Sequence, residues 1–122
     1  MRRVLMAERP VPVGNYELLE DFESPAATVR VLRMARTGQA VERHVHERSA
    51  QIYVALQGRV RVEIDGRVAE LEPYHAMNVP AGAVHGAAPV GESAIVMNIS
   101  VPPLGADDQI PVPRFEPAME AG

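Results

Sequence analysis

A period-two alternation of apolar and polar residues runs through the middle of the chain and restricts its fold more than any other feature. In the run RVRVEID, every second residue from Val60 to Ile64 is apolar, and the residues between them are charged. A helix would need apolar residues three or four apart, so the run predicts a strand with one buried face. Asp65 and Gly66 follow, and this pair is typical of the tight turn of a β-hairpin.

Further short runs of this kind lie on both sides and are separated by glycines: TVRVLRMAR, ERHVH, QIYVALQ, AMNVP, VHGAAP and SAIVMNISV. We therefore predict an all-β fold, either a closed barrel or two packed sheets. The 122 residues suit one domain, since a domain has roughly 100–200 residues. No internal repeat and no coiled-coil heptad is present.

The two ends of the chain differ from this middle part. We assign residues 28–101 to the barrel, residues 1–27 to an N-terminal arm or edge strand, and residues 102–122 to a Pro-rich tail. The segment YELLEDF in the arm is compatible with a turn of helix or with an edge strand. The tail holds five prolines, which exclude a central strand. It is either flexible or an arm that docks on a partner subunit.

Composition excludes several classes of function. The formal net charge is −4 and there is no tryptophan, which argues against nucleic-acid binding. Every one of the twelve basic residues is arginine and cysteine is absent, so Schiff-base lysines, thiolate nucleophiles, disulfides and cysteine-ligated metal clusters are excluded. No apolar run approaches the ~20 residues of a membrane span. We expect a soluble cytoplasmic protein without a membrane partner.

Three of the four histidines are placed to meet. His44 and His46 are two apart, so on a strand both side chains project from one face. Gln51 lies at the start of the next strand and returns beside them if the two strands pair antiparallel. His85 follows the turn residues of VPAG. Three imidazoles and one amide oxygen form a set suited to a divalent metal.

Other readings of these residues stay open. The two histidines on one strand could be half-buried polar residues, and the barrel could have lost its ion. His75 falls in a predicted turn, where a solvated role is expected. Tyr53 and Gln57 share the period-two face of Gln51, so both are candidates for lining the pocket.

The stretches GQAVERHVHERSAQIYVALQG (residues 38–58) and PAGAVH (residues 80–85) resemble the two motifs of the cupin family. The resemblance implies a single-domain jelly-roll β-barrel that holds one divalent metal per chain and pairs as a homodimer. It places His44, His46 and His85 at the ligand positions, and Gln51 where glutamate is usual. Tyr74 and His75 stand where the second motif normally has Gly-Asp.

The resemblance also implies a small-molecule substrate or ligand. With iron, the site would suit a dioxygenase. With manganese, nickel or zinc it would suit an isomerase or lyase acting on an oxygen-rich organic molecule. Some small cupins with this ligand set act on unsaturated uronates, but they carry an acidic residue where this chain has Asn98, a further candidate for pocket lining. The alternative function is a cupin that binds a small ligand without catalysis, as a sensor or carrier.

Overall fold

A computed structural model describes residues 11–112 of the protein. Within that range the chain forms ten strands and no helix. The strands are β1 (Glu17–Glu23), β2 (Thr28–Ala35), β3 (Val41–Val45), β4 (Ala50–Gln57), β5 (Val60–Ile64), β6 (Arg67–Leu71), β7 (Ala76–Val79), β8 (His85–Pro89), β9 (Ser93–Val101) and β10 (Ile110–Pro111).

The strands form two five-stranded antiparallel sheets. The first sheet has the order β1-β2-β9-β4-β7, and the second has the order β10-β3-β8-β5-β6. Strands that follow one another in the chain often lie in different sheets, as in a jelly roll. The predicted all-β fold is therefore confirmed. No helix of the described residues could cross a membrane, since none is long and apolar enough.

The inner faces of the two sheets form the core. In β2 the residues from Thr28 to Met34 alternate between fully buried and more exposed positions, and β4 and β9 follow the same rule. Buried apolar side chains from both sheets make one cluster: Leu32, Met34, Val41, Tyr53, Ala55, Val60, Val62, Leu71, Val79, Ala83, Ala87, Ala94 and Val96. The apolar residues of RVRVEID point into this cluster, as the alternation predicts.

The hairpin between β5 and β6 has the predicted turn. Ile64 pairs with Arg67, which leaves Asp65 and Gly66 as a two-residue loop. Their φ angles are 49° and 85°, the positive values of a type I′ turn. Asp65 accepts the backbone N–H of Val84 at 3.0 Å through its carboxylate. The turn is therefore tied to the loop that precedes β8.

Both ends of the described chain belong to the sheets. The segment YELLEDF contains β1, the edge strand of the first sheet, so the edge-strand alternative is correct. Beyond the predicted boundary at residue 101, β10 pairs with β3 at the edge of the second sheet, with Ile110 opposite Val45. Residues 102–112 thus lie on the barrel of their own chain. The remainder of the predicted arms, residues 1–10 and 113–122, lies outside the described residues.

The difference in burial between Leu32 of β2 and Leu19 of β1 predicts different effects of their substitution on stability. Leu32 is fully buried and Leu19 is 39% exposed. Leu32→Ala should lower the free energy of unfolding by about 2–5 kcal/mol, because it leaves a cavity in a packed core. Leu19→Ala is the matched control and should change it by about 0.5 kcal/mol. Urea unfolding measures both values, and equal effects would contradict the assignment of the inner face.

Candidate metal centre

Three histidines and one glutamine from three strands meet on the inner face of the barrel. His44 lies in β3 and pairs directly with His85, the first residue of β8. His46 follows β3 on the same side, and Gln51 lies in β4 of the opposite sheet. Each of the four side chains is at least 96% buried. The structure therefore brings together the four residues that the sequence singled out.

The three imidazoles form a compact cluster. One ring nitrogen from each histidine lies within 4.8 Å of the others. The ring centroids of His44 and His85 are 4.3 Å apart, and those of the other two pairs are 4.7 and 5.0 Å apart. Burial, aided by the neighbouring rings, lowers the pKa of His44 to about 3 and that of His85 to about 4. Burial also lowers the pKa of His46, so all three rings are neutral near pH 7.

Hydrogen bonds to the main chain fix the tautomer of each ring. His44 Nδ1 donates to the carbonyl of Glu42 at 2.7 Å, and His85 Nδ1 donates to that of Ala83 at 3.0 Å. His46 Nδ1 donates to the carbonyl of Asp108 at 2.7 Å. A carbonyl oxygen can only accept, so every Nδ1 carries the proton of its neutral ring. Every Nε2 is therefore left with a lone pair.

The amide of Gln51 completes a set of electron-pair donors. Its Nε2 donates to Ser100 Oγ at 2.9 Å, which turns Oε1 towards His85 Nε2 at 3.1 Å. Both facing atoms are acceptors, so no proton holds them together. His46 Nε2 is buried and has no hydrogen-bond partner among the described residues. Lone pairs that face one another in this way can be satisfied by a cation. The nitrogen and oxygen donors fit a divalent metal ion.

A second polar row lies next to the cluster on the inner face of the first sheet. Asn98 of β9 is opposite both Arg30 of β2 and Tyr53 of β4. All three residues are buried, and the Tyr53 ring meets the His85 ring edge-on with centroids 6.0 Å apart. Tyr53 Oη and Asn98 Oδ1 have no hydrogen-bond partner in the part of the chain that the structure describes. Burial raises the pKa of Tyr53, which keeps its phenol neutral.

The predicted pocket-lining residues separate into two groups. Tyr53 and Asn98 face the interior, but Gln57 is exposed. The prediction for Gln57 is wrong because the register of β4 against β9 shifts between Ala55 and Gln57. That irregularity reverses the face on which the last residues of the strand lie. His75 is exposed in a turn, as expected.

Sequence reasoning missed two residues near the cluster, Arg30 and Asp108. Arg30 occupies the inner face of β2, but the intervening positions Val29 and Val31 are also apolar. The alternation of apolar and polar residues in β2 therefore does not indicate which face of the strand points into the barrel. Asp108 lies in the segment predicted as a tail and touches His46 from 62 residues away. No local pattern in the sequence indicates that contact.

Comparison with known proteins agrees with this geometry. A family model described as a cupin domain matches residues 31–102. The chain is 31% identical to TT1209 from Thermus thermophilus, covering 73% of this chain and 85% of that one with a TM-score of 0.67. It is 25% identical to KdgF from Halomonas sp., covering 72% and 86% with a TM-score of 0.62.

A cupin 2 domain-containing protein from Halorhodospira halophila is 19% identical, which shows the fold alone. There the match covers 88% of this chain and 74% of that one, with a TM-score of 0.66. No curated protein sequence matches the chain.

The donor set predicts stoichiometric binding of one divalent ion. Titration of the metal-free protein with Zn²⁺, Ni²⁺ or Co²⁺ in a calorimeter should give one site per chain. His85→Ala should weaken binding at least about 100-fold, because it removes a ligand from a preformed set. An ion at 100 times its Kd should also stabilise the fold by about 2.7 kcal/mol.

The matched control is His75→Ala, which removes an exposed histidine away from the cluster. It should bind the ion as the wild type does. Equal loss of affinity in both variants, or no binding by the wild type, would contradict the assignment of the site.

Proposed function

This chain belongs to the cupin family, and on that premise we propose that it is a metal-dependent enzyme acting on a small, oxygen-rich organic molecule. His44, His46, His85 and Gln51 would hold one divalent ion. The reaction we favour is an isomerisation or an elimination. The observation that carries this proposal is a fully neutral donor set beside Tyr53 Oη and Asn98 Oδ1, two buried atoms without a hydrogen-bond partner among residues 11–112.

The charge of the donor set bears on the chemistry. None of the four residues is a carboxylate, and all three imidazoles are neutral. A bound ion would therefore keep its full positive charge and act as a Lewis acid on a hydroxyl, keto or carboxylate oxygen of the substrate. Manganese, nickel and zinc suit this chemistry.

The chain's own groups would bind and orient the rest of the substrate. Tyr53 offers a neutral hydroxyl that can donate or accept a proton, and Asn98 offers an amide oxygen that accepts a hydrogen bond. Arg30, held by Asp21 at 3.3 Å, adds positive charge to the same row. These groups lie in the buried interior, where each polar contact is worth more than in water. They favour a substrate with several oxygens and at least one negative charge.

Two other functions are kept as outcomes of the test. With iron, the same ligands would suit a dioxygenase, whose turnover consumes dioxygen. A cupin that only binds its ligand is favoured by one observation: among the described residues, the metal-binding cluster contains no aspartate or glutamate that could serve as a general base.

The test follows proton exchange at carbon. Protein loaded with Zn²⁺, Mn²⁺, Ni²⁺ or Fe²⁺ is incubated in D₂O with small hydroxy acids, oxo acids and uronates, and NMR follows deuterium incorporation and isomer formation. Exchange or isomerisation without oxygen uptake supports the proposal. Oxygen uptake with iron alone replaces it by the dioxygenase. Substrate binding without any turnover replaces it by the ligand-binding function.

Tyr53→Phe should separate function from structure. Loss of the hydroxyl should lower kcat about 100-fold, as expected for a group that transfers a proton, and leave metal affinity unchanged. Stability should stay the same or rise, because a buried hydroxyl without a partner is destabilising. Steady-state kinetics and thermal unfolding measure both effects.

Tyr74→Phe is the matched control for that variant, since Tyr74 is 83% exposed. It should leave kcat unchanged. A stability loss in Tyr53→Phe with unaltered kcat would show that the hydroxyl has only a structural role.

A further inference from the structure

A hydrogen bond of 2.7 Å joins the His46 ring to the segment that follows β9. We propose that Asp108 is a positioning residue for the metal centre, and that binding of the ion and docking of residues 104–112 on the barrel stabilise each other. The inference rests on the metal binding proposed above. It concerns a residue that is not one of the four candidate ligands, in a segment that the sequence predicts to lie outside the barrel.

Asp108 makes two kinds of contact. Its main-chain carbonyl binds the His46 ring, and its side-chain carboxylate binds the loop of residues 47–49 that follows His46. Its carbonyl accepts the Nδ1 proton of His46 at 2.7 Å. Its carboxylate accepts the backbone N–H groups of Glu47 at 2.6 Å, Arg48 at 3.1 and 3.2 Å, and Ser49 at 3.1 Å. The residue is completely buried. Three consecutive main-chain donors thus converge on one carboxylate directly after a metal-binding histidine.

The segment around Asp108 is anchored independently of that carboxylate. The N–H of Leu104 donates to Thr28 Oγ1 at 2.8 Å, and the Leu104 side chain is buried. Ser49 Oγ donates to the carbonyl of Pro102 at 2.8 Å. On the far side, the N–H of Val112 donates to the carbonyl of Arg43 at 3.0 Å. The carbonyl that orients His46 is therefore held from both directions along the chain.

The physical consequence is a fixed ring orientation. His46 is held at its main chain, since its carbonyl accepts the N–H of Gly82 at 2.7 Å, and at its ring by Asp108. A partner on the second ring nitrogen sets the tautomer and direction of a metal-binding imidazole, and its loss typically weakens metal binding about 10–100-fold. An ion that prefers this orientation must also favour the docked segment, because coupling between two binding events is reciprocal.

A purely structural role for Asp108 predicts something different. If the carboxylate only capped the loop, its loss would reduce stability and leave the metal environment as it is. The chain offers a matched control in Asp107, the preceding residue. It carries the same side chain, is 83% exposed, and pairs with Arg48 at 2.6 Å on the surface.

The experiment compares Asp108→Asn with Asp107→Asn in the full-length protein. Co²⁺ affinity is measured by calorimetry, and the ligand geometry is read from the visible absorption spectrum of the Co²⁺ protein. Val62→Ala serves as a second control that destabilises the core on β5, a strand without a candidate metal ligand. Asp108→Asn keeps the main-chain carbonyl that accepts from His46, but its amide nitrogen cannot accept the N–H groups of residues 47–49. We expect the carbonyl to shift, which should weaken Co²⁺ binding about 10-fold and alter the spectrum. The two control variants should stay within about twofold of the wild type and keep its spectrum.

A wild type that binds no ion would refute the proposed function itself. Wild-type binding together with an unchanged affinity and spectrum in Asp108→Asn would overturn only the present inference. A spectrum altered equally in Val62→Ala would also overturn it, because general loosening of the barrel would then explain the effect.

A second measurement needs no variant, which matters if Asp108→Asn does not fold. Hydrogen exchange of the wild type is compared with and without Zn²⁺. The amides of residues 47–49, 109, 110 and 112 should exchange at least about tenfold more slowly when the ion is present. The amides of β1, an edge strand that carries none of the four candidate metal ligands, provide the reference. Equal slowing in both regions would contradict a specific link between the ion and the docked segment.

Discussion

The pairing of His44 with His85 across β3 and β8 is the contact on which the site depends. Directly opposite residues of an antiparallel pair project to the same side, with their Cβ atoms about 5 Å apart. That single register brings together the two histidine motifs, which are separated by 41 positions in the chain. A slip of one residue would send one imidazole to the outer face of the sheet. The candidate metal site exists only because this register is fixed.

Burying three imidazoles and an amide in a barrel is costly unless each polar atom is satisfied. A main-chain carbonyl accepts the Nδ1 proton of each ring. The Nε2 atom of each ring keeps its lone pair. The buried interior is therefore organised for a positively charged occupant. Tyr53 Oη and Asn98 Oδ1 are also buried near the cluster, and neither has a hydrogen-bond partner within the described range.

The inner face of the first sheet has a polar end and an apolar end. Towards one end, cross-strand neighbours are polar, with Ser100 opposite both Thr28 and Gln51. Towards the other end they are apolar, as in the pairs Leu32 with Val96 and Met34 with Ala94. The apolar end supplies the packing that holds the sheets together. The polar end gives up some of that stability, which is the usual relation between a binding site and its scaffold.

The all-β fold, the β5–β6 hairpin and the shared face of His44 and His46 can be predicted from the sequence, because they follow from a two-residue period and from local turn chemistry. The sequence also named Gln51 and His85 through the spacing of its motifs. The positions of two other residues depend on how the strands pair. Arg30 faces inwards although both faces of β2 carry apolar residues, and Gln57 faces outwards because a register shift follows Ala55. The contact between Asp108 and His46 likewise could not be predicted from the sequence. The two residues are 62 positions apart in the chain. They meet only when β10 pairs with β3, and no local sequence pattern predicts that pairing.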